Sequence, residues 1–354
     1  MYAKSITGPD DPVVVAAREA SLTDALFIDV PDRIEAPDDA EILRCPSSYA
    51  SDLMEHFSGD PNNKGAWLPF SGSHEFRVRP GELSVIAGAN FAGKSAIMTQ
   101  IMANIIRPNN LFSDREEKYL LISPEFSPRI NLARIVQQII GKMPVDITEP
   151  EIGAALAFLG RRMMILDVVG MVEADRVANI INWASQEHGI TGTIIDNLTV
   201  LRLNGRGSGD NDATSDLMAR LVEVARASQT HIWLVAHTRK PASGEKMNRY
   251  QIRGASQITD LADNVLMIDR FELKEQKLKE LDFEDREEWL KAPDTFLHIS
   301  KQRHGSAWVG RISLWYDNVS MRWSTKQFDN HRTFEELRSM IEDTGGPENE
   351  YREW

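Results

Sequence analysis

One eight-residue segment contains the residue types that bind phosphate groups at the start of a helix. It has the pattern GxxxxGKS. The glycines allow a tight turn whose backbone N–H groups point at phosphate oxygens, and the N-terminus of the following helix favours negative charge. In this pattern the lysine reaches the β- and γ-phosphates and the serine hydroxyl ligates Mg²⁺. The segment predicts a site for Mg²⁺ and a nucleoside triphosphate (ATP, or another NTP or dNTP), formed by Gly88, Ala89, Asn90, Phe91, Ala92, Gly93, Lys94 and Ser95.

Two acidic residues follow apolar runs further along the chain. Asp196 ends the run TIID and is a candidate Mg²⁺ partner, acting through water. Glu125 follows the run YLLISP, and hydrolysis needs a group that orients or deprotonates the attacking water. Taken alone, a carboxylate placed like Asp196 is ordinarily a cap or turn residue, and for Glu125 the catalytic and structural interpretations are evenly balanced. Their order after the phosphate-binding segment favours the catalytic interpretation.

The elements that must position these residues follow an α/β pattern. Short apolar runs without polar alternation are separated by longer segments of helical pattern, which is typical of a parallel sheet covered on both faces. We predict five strands, then two more strands and a hairpin; the segments are 83–87, 119–123, 163–167, 193–196, 232–236, 265–269, 296–301, and 310–316 with 321–324. The predicted helices between them are 95–106, 129–141, 152–161, 174–188 and 212–228, and the charged stretch 271–291 is predicted as a solvated helix or insertion.

Charge is concentrated at the two ends of the chain. The net charge of the 354 residues is −13, while residues 1–60 carry 13 acidic and 4 basic side chains and residues 335–354 carry 7 acidic and 2 basic ones. Residues 61–334 are almost neutral overall. The net acidity of the chain therefore excludes only a protein whose whole surface is basic, as in histones. A single cysteine, Cys45, excludes an intrachain disulfide, and no apolar run of about 18 residues appears. We expect a soluble protein of the cytoplasm with no membrane segment.

The ordered series of motifs resembles the hexameric replicative DNA helicases of the DnaB, Twinkle and phage primase-helicase group. The resemblance covers about residues 46–324 and rests on GxxxxGKS at 88–95, Glu125, Asp196, VAHTRKP at 235–241 and RGASQITDLAD at 253–263. It implies a RecA-like P-loop core with a mostly parallel sheet. The resemblance and the charge distribution together divide the chain into four segments: an acidic arm at 1–44, which looks too short and acidic for the N-terminal collar of DnaB, a linker helix and connector at 45–75, the ATPase/helicase domain at 76–330 and an acidic tail at 331–354. No primase or zinc module is present in this sequence.

The same resemblance implies roles for residues outside the phosphate-binding segment. Glu125 corresponds to the family's catalytic base, and His237 to the residue that senses the γ-phosphate in the Twinkle-like branch. Lys301 and Arg303 match a pair that reaches the neighbouring subunit's nucleotide, with Arg303 as the arginine finger; a basic edge strand is the alternative. Arg270 and Tyr316 match residues that sandwich the base.

Two loops after strands are expected to face DNA, by resemblance to the family's central channel. Their glycines and serines suit a mobile loop, and their scattered basic residues suit contact with phosphates without base reading; an ordinary surface loop is the alternative. The candidate DNA-binding residues are Arg202, Asn204 and Arg206 in the first loop, and Arg239, Lys240, Lys246 and Arg249 in the second.

These patterns predict an NTP-driven ring helicase, a homo-hexamer or heptamer that translocates on single-stranded DNA during replication. The acidic ends are candidate docking segments for a primase or polymerase. A filament-forming recombination or repair ATPase of the same fold is one alternative, because it uses the same phosphate chemistry. A nucleotide-gated scaffold or loader that does not unwind DNA is another, because acidic ends suit docking.

Overall fold

The computed structural model describes residues 45–58, 65–107, 116–202, 211–239, 249–252, 255–282, 286–305, 307–327, 333–335 and 337. The chain forms two compact units, 1–59 and 60–354. In the first, the helix α1 (Ala50–Ser58) follows a 3-10 turn that begins at Pro46. The apolar side chains of Tyr49, Leu53, Met54 and Phe57 are exposed on this segment.

The second unit is built on a nine-stranded sheet in which five neighbouring pairs are parallel and the remaining three are antiparallel. Its strands are β1 (Leu83–Gly88), β2 (Tyr119–Ile122), β3 (Met163–Leu166), β5 (Gly192–Ile195), β7 (His231–His237), β8 (Asn264–Arg270), β9 (Thr295–Gln302), β10 (Gly310–Asp317) and β11 (Arg322–Ser324). They lie side by side in the order β11-β10-β9-β8-β1-β7-β5-β2-β3. A separate parallel pair joins β4 (Val172–Glu173) to β6 (Leu201–Arg202).

Helices cover both faces of the sheet. One face packs against α2 (Lys94–Ile105), α3 (Pro128–Ile140) and α4 (Glu149–Gly160), and the other against α5 (Ala174–His188), α6 (Asn211–Ser228) and α7 (Ala255–Leu261). Strand β1 shows why both faces are apolar: Ile86 belongs to one core cluster, and its neighbours Val85 and Ala87 belong to the other. The predicted α/β fold, with a mostly parallel sheet between helices, is confirmed.

Strand order determines where a ligand fits. β1 lies between β7 and β8, whereas β2, the next strand in sequence, lies beyond β7 and β5. Helix α2, which follows β1, packs on one face of the sheet, whereas α6, which follows β5, packs on the other, so a crevice opens at the carboxyl ends of the strands. Every predicted strand is present, with bounds that differ by one or two residues.

Some features differ from the sequence-based expectation. The charged stretch forms two helices, α8 (Glu272–Glu280) and α9 (Glu287–Lys291), while the short elements α7, β4 and β6 have no strong periodic signal and were not predicted. Leu68 and Phe70, assigned to the connector, are buried in the core of the second unit. Phe334 and Leu337, assigned to the acidic tail, are also buried there, so the packed part of the chain continues past 331.

Within the described part of the chain, every helix is too short or too polar to cross a bilayer.

Candidate functional site

The phosphate-binding segment connects β1 to α2 at the crevice. Gly93 has a φ of +88°, a conformation that glycine adopts without strain, and α2 begins at the next residue. The side chain of Lys94 is buried, and its Nζ donates hydrogen bonds to the carbonyl oxygens of Gly88 (3.1 Å) and Ala89 (2.8 Å). Burial lowers the pKa of Lys94, and the nearby charges of Asp196 and Glu125 oppose that shift. The ammonium group of Lys94 therefore lies inside the turn. A bound phosphate would compete with the two carbonyl oxygens for its hydrogen bonds.

Trp323, on β11, packs directly against the phosphate-binding segment. A Cβ atom at Gly93 would lie 2.6 Å from the indole Cζ2 of Trp323. The side chain of Gln100, on α2, clamps the backbone of Trp323 through two hydrogen bonds of 2.8 Å, one donated and one accepted. The hairpin at the end of the sheet thus supports the turn, a role that sequence reasoning missed because the contact joins residues more than 200 positions apart.

We expect Gly93→Ala to lower nucleotide affinity at least about tenfold and to reduce the free energy of unfolding by about 1–3 kcal/mol. The added methyl group meets the fixed ring of Trp323, and the positive φ disfavours alanine. Nucleotide binding and urea unfolding measure the two effects. Gly72→Ala is the matched control, because Gly72 has a φ of +87° with open space around its Cβ position. Equal effects of the two substitutions on nucleotide affinity would contradict the packing argument.

The two acidic candidates lie side by side at the carboxyl ends of β2 and β5. These strands are parallel neighbours, and the N–H of Asp196 donates to the carbonyl of Ile122 at 2.8 Å. Asp196 is buried; burial raises its pKa, while a hydrogen bond from Ser95 and the positive charges of Arg134 and Lys94 lower it. A serine hydroxyl beside a buried carboxylate is the oxygen donor set expected for Mg²⁺ that also binds phosphates.

Glu125 is exposed at the same edge and is oriented by a neighbour that sequence reasoning missed. Asn197 is buried directly after Asp196, and its Nδ2 donates to Oε2 of Glu125. The Oδ1 of Asn197 accepts from the backbone N–H of Thr199 at 2.9 Å, which fixes the amide's orientation. The signal that could have found Asn197 is its place next to the strand-end aspartate.

Arg134 is a second residue that sequence reasoning missed. It lies on α3, lines the cleft, and is half-buried, so burial lowers its pKa while Asp196 opposes the shift. Its Nη1 atom is buried and has no hydrogen-bond partner among the described residues. A buried guanidinium with a spare donor favours an anion as its ligand. The periodicity of α3 identifies only the apolar positions that face the core. Arg134 lies outside that pattern, so nothing in the sequence indicated that it lines the cleft.

The cleft has a volume of about 1110 Å³, which is ample for a nucleotide. His237, at the end of β7, lines it and is paired in register with Gly88. At the rim, Arg270 contacts Glu275 and donates to the carbonyl of Phe91 at 3.4 Å. The described residues that line it and were predicted as site residues are Asn90, Phe91, Ala92, Gly93, Lys94, Ser95, Glu125, Asp196, His237, Arg270 and Tyr316.

The rings of Tyr316 and Trp323 lie 4.6 Å apart between centroids, with Trp323 against the phosphate-binding turn. Tyr316 is held by its backbone N–H, which donates to Asp294 at 2.8 Å. Burial raises the pKa of Tyr316. The aromatic pair therefore offers an apolar wall of the cleft beside the phosphate-binding turn.

Lys301 and Arg303 lie at the opposite edge of the sheet. Strand β9 is antiparallel to β8, so Thr295 pairs with Arg270 at the cleft and Lys301 pairs with Val265 at the far end. Six residues at about 3.3 Å each separate Thr295 from Lys301 by about 20 Å. The structure therefore does not bring this predicted pair into its own chain's cleft.

A buried carboxyl group, Glu82, also lies at that far edge. Its Oε2 accepts from Asn264 Nδ2 at 2.8 Å, and Arg79 Nη1 is 3.7 Å from its Oε1. The pKa of Glu82 is raised to about 7, mainly by burial and also by the charge of Asp263, while the hydrogen bond from Asn264 and the charge of Arg79 oppose the shift. Because the folded chain holds this proton more tightly than the unfolded chain, Glu82 contributes stability at low pH that is lost as pH rises towards and through 7.

We expect Glu82→Gln to remove a pH dependence worth about 3 kcal/mol of unfolding free energy between pH 5 and pH 8. The glutamine keeps an acceptor for Asn264 but does not titrate. Urea unfolding of both proteins at several pH values measures the difference, which should grow in favour of the variant as pH rises. If the free energies of unfolding of the two proteins change with pH in the same way, Glu82 is not the source of the pH dependence.

The predicted DNA-binding residues fall partly outside the described residues: Asn204, Arg206, Lys240 and Lys246 lie there. Arg202 is exposed and ends strand β6 and is thus not a loop residue. Arg239 is exposed after β7, and its N–H donates to the carbonyl of Gln251 at 2.8 Å. Arg249 begins a short 3-10 helix, and its Nη1 donates to the carbonyl of Ser300 at 3.4 Å.

Comparison with known proteins agrees with this geometry. Residues 76–243 match the family described as an AAA domain. The ATPase domain of a phage helicase superposes with a TM-score of 0.63 at 16% identity, covering 79% of this chain and 98% of that one. A DnaB-like replicative helicase, solved for its structure and its interactions with primase, superposes with a TM-score of 0.62 at 17% identity, covering 80% of this chain and 69% of that one. No curated protein sequence gives a significant match.

The resemblance on which the sequence interpretation rested is confirmed at the level of fold, since one superposed structure is a phage helicase's ATPase domain and the other a DnaB-like replicative helicase. The chain therefore has the fold of a DnaB-type helicase motor domain, and residues 76–243 of this fold are similar to an AAA domain.

Proposed function

We propose that this chain is the subunit of a ring-shaped, NTP-driven DNA helicase, a homo-hexamer or heptamer that moves along single-stranded DNA and unwinds duplex during replication. One observation carries the proposal: the cleft contains every group that its own chain must supply, while Lys301 and Arg303 lie about 20 Å away at the other edge of the sheet. A second copy of the chain would supply both side chains if the end of its sheet that carries Lys301 and Arg303 lay against this cleft.

The residues of the cleft divide the chemistry of phosphate cleavage between them. Backbone N–H groups of 88–95 and the ammonium of Lys94 bind phosphate oxygens, and Arg134 supplies a further buried donor. Ser95 and Asp196 hold Mg²⁺, which when bound neutralises charge on the phosphates. Phosphate oxygens of the nucleotide and water would supply the remaining ligands of the metal.

Glu125 accepts the proton of the attacking water, and Asn197 holds the carboxylate in place for that step. His237 reports the state of the γ-phosphate to the segment after β7, because it ends the strand that pairs with Gly88. Arg270 and Tyr316 hold the base at the rim. Arg303 of a neighbouring copy stabilises the charge that develops during cleavage, with Lys301 as its companion.

Arg202, Asn204 and Arg206, with Arg239, Lys240, Lys246 and Arg249, are the proposed DNA contacts. Both groups follow strands β5 and β7, which end at the cleft, so a change of nucleotide state reaches them directly. Basic side chains without interleaved aromatic residues predict backbone contact and a strong dependence on salt. The acidic ends, 1–44 and 331–354, are proposed docking segments for a primase or polymerase, and 45–75 the connection to the motor.

Strand displacement on forked DNA tests this function. Duplexes with labelled 5′ or 3′ tails are incubated with the protein, Mg²⁺ and either ATP or dTTP, with Glu125→Gln as the inactive control. We expect displacement from one tail polarity only. Hydrolysis without displacement would favour the scaffold or loader, and open filaments instead of closed rings by electron microscopy would favour the recombination ATPase.

A further inference from the structure

The C-terminal end of α7 binds both cations of the proposed finger pair within the same chain. Lys301 Nζ donates to the carbonyl oxygens of Thr259 (2.6 Å), Asp260 (3.2 Å) and Ala262 (2.7 Å). Arg303 Nη2 donates to the carbonyl of Asp260 at 2.7 Å. The last carbonyls of a helix are otherwise unsatisfied and carry partial negative charge, so they stabilise cations. Both side chains are therefore engaged before any neighbour is present.

Asp263 completes this arrangement with a full negative charge. Its carboxylate is almost completely buried, and Oδ1 lies 3.0 Å from Arg303 Nη1 and 3.7 Å from His304 Nε2. Its other oxygen, Oδ2, accepts from the backbone N–H of Leu83 at 2.9 Å. Because Asp263 is anchored to the start of β1, it holds a fixed position and cannot follow Arg303 when that side chain moves.

The bound cations also lie close to the end of the second proposed DNA-facing segment. Helix α7 follows the second proposed DNA-facing segment in sequence, and Thr238, before that segment, bridges Ile252, after it. Arg249, in that segment, contacts the carbonyl of Ser300, the residue before Lys301. One strand, β9, therefore touches the exit of a DNA-facing segment and carries the cations for a neighbour's phosphates.

We propose that Asp263 and the carbonyl oxygens of Thr259, Asp260 and Ala262 form a holding site, with Asp263 as the positioning residue that retains Arg303 and Lys301 in their own chain until a neighbour's nucleotide competes for them. This inference rests on the proposed function. It adds that the finger must leave one anionic partner to reach another. When Lys301 and Arg303 leave the holding site, the carbonyl oxygens at the end of α7 lose these partners. DNA that displaces the segment before α7 weakens the holding site. Departure of the two cations and binding of DNA therefore favour each other.

Mixed rings test the holding site. Chains with Glu125→Gln keep the finger but lack the base, and chains with Arg303→Ala keep the base but lack the finger, so only hybrid sites hydrolyse. Adding Asp263→Asn to the finger-bearing chain keeps the acceptor for Leu83 N–H and removes the charge that retains Arg303. We expect DNA-free hydrolysis in the mixture to rise roughly fivefold, with KM for nucleotide unchanged and stimulation by DNA correspondingly smaller.

Each outcome of the mixture has one meaning. No hydrolysis in the mixture without Asp263→Asn defeats the shared site of the proposed function. Hydrolysis in that mixture, but an unchanged or lower rate when the finger-bearing chain carries Asp263→Asn, defeats the holding site alone. The same rise with Asp263→Asn in the chain that lacks Arg303 also defeats it, because a finger's holding site acts within its own chain.

Asp175→Asn in the finger-bearing chain is the matched control, since it breaks another Asp–Arg pair, between α5 and α6, in which Arg220 lies at 3.2 Å and the aspartate side chain is exposed. It should leave the hybrid rate unchanged. If Asp263→Asn lowers the melting temperature so far that rings do not form, hydrogen exchange on the protein without substitutions tests the holding site instead. A non-hydrolysable triphosphate should then increase amide exchange in α7, and unchanged or slower exchange there overturns the proposal.

Discussion

Glu125→Gln is expected to lower the rate of DNA-stimulated hydrolysis by about 10²–10⁴-fold while nucleotide affinity changes little. Glutamine has nearly the same shape as glutamate and keeps an acceptor for Asn197 Nδ2, so the side chain stays in position. What it loses is the ability to accept a proton from water. Single-turnover hydrolysis and equilibrium binding of a labelled nucleotide separate the two quantities.

Two further variants make this result interpretable. Lys94→Ala should also abolish hydrolysis, but through loss of phosphate binding, so its affinity falls where that of Glu125→Gln does not. Glu223→Gln, a surface substitution at a residue paired with Arg220, should retain the normal rate. Full hydrolysis in both Lys94→Ala and Glu125→Gln would defeat the assignment of the cleft.

Arg303→Ala is expected to reduce hydrolysis by about 10³–10⁵-fold, the range for loss of an arginine finger. Nucleotide binding should be almost normal, because the finger of one chain lies about 20 Å from that chain's cleft and acts on a neighbour. Mixing with Glu125→Gln chains should restore part of the activity. Mixtures that stay inactive, with rings present by electron microscopy, would mean that Arg303 serves its own chain.

Removing Arg303 also leaves the buried carboxylate of Asp263 without its guanidinium partner, so the melting temperature must be measured alongside the rate. Arg303→Lys keeps a positive charge for Asp263 and loses the planar fork, which predicts near-normal stability with a rate still far below normal. Arg311→Ala, on the adjacent strand β10, controls for loss of an exposed arginine. A loss of activity that tracks the melting temperature across these variants would point to folding and not to catalysis.

The phosphate-binding turn illustrates what local pattern predicts well. Glycine positions, a lysine and a serine between a strand and a helix specify backbone conformation and ligand chemistry within eight residues, and the structure has β1 and α2 where this requires. The strands were equally predictable, because uninterrupted apolar runs of this length suit burial on both faces. Asp196 and Glu125 were found because each directly follows such a run.

Residues that act through long-range packing were missed. Trp323 supports Gly93 from the last strand of the sheet, and Arg134 reaches the cleft from a helix whose pattern reports only its apolar face. Asn197 orients Glu125 although the two are more than 70 residues apart. Helix α7, whose C-terminal end binds Lys301, has only seven residues and no strong periodicity, so no sequence pattern indicated it.

By itself, then, the sequence determined the α/β architecture, the phosphate-binding turn and the order of the acidic, histidine and basic residues along the chain, because each of these depends on neighbours within a few positions. Only the tertiary structure decided which of them share a cleft. Strand order sets that: parallel β2, β5, β7 and β1 bring their carboxyl ends together, while antiparallel β9 carries Lys301 and Arg303 to the opposite edge, against Asp263. Pairing between distant strands depends on how the whole core packs, and no short segment encodes it.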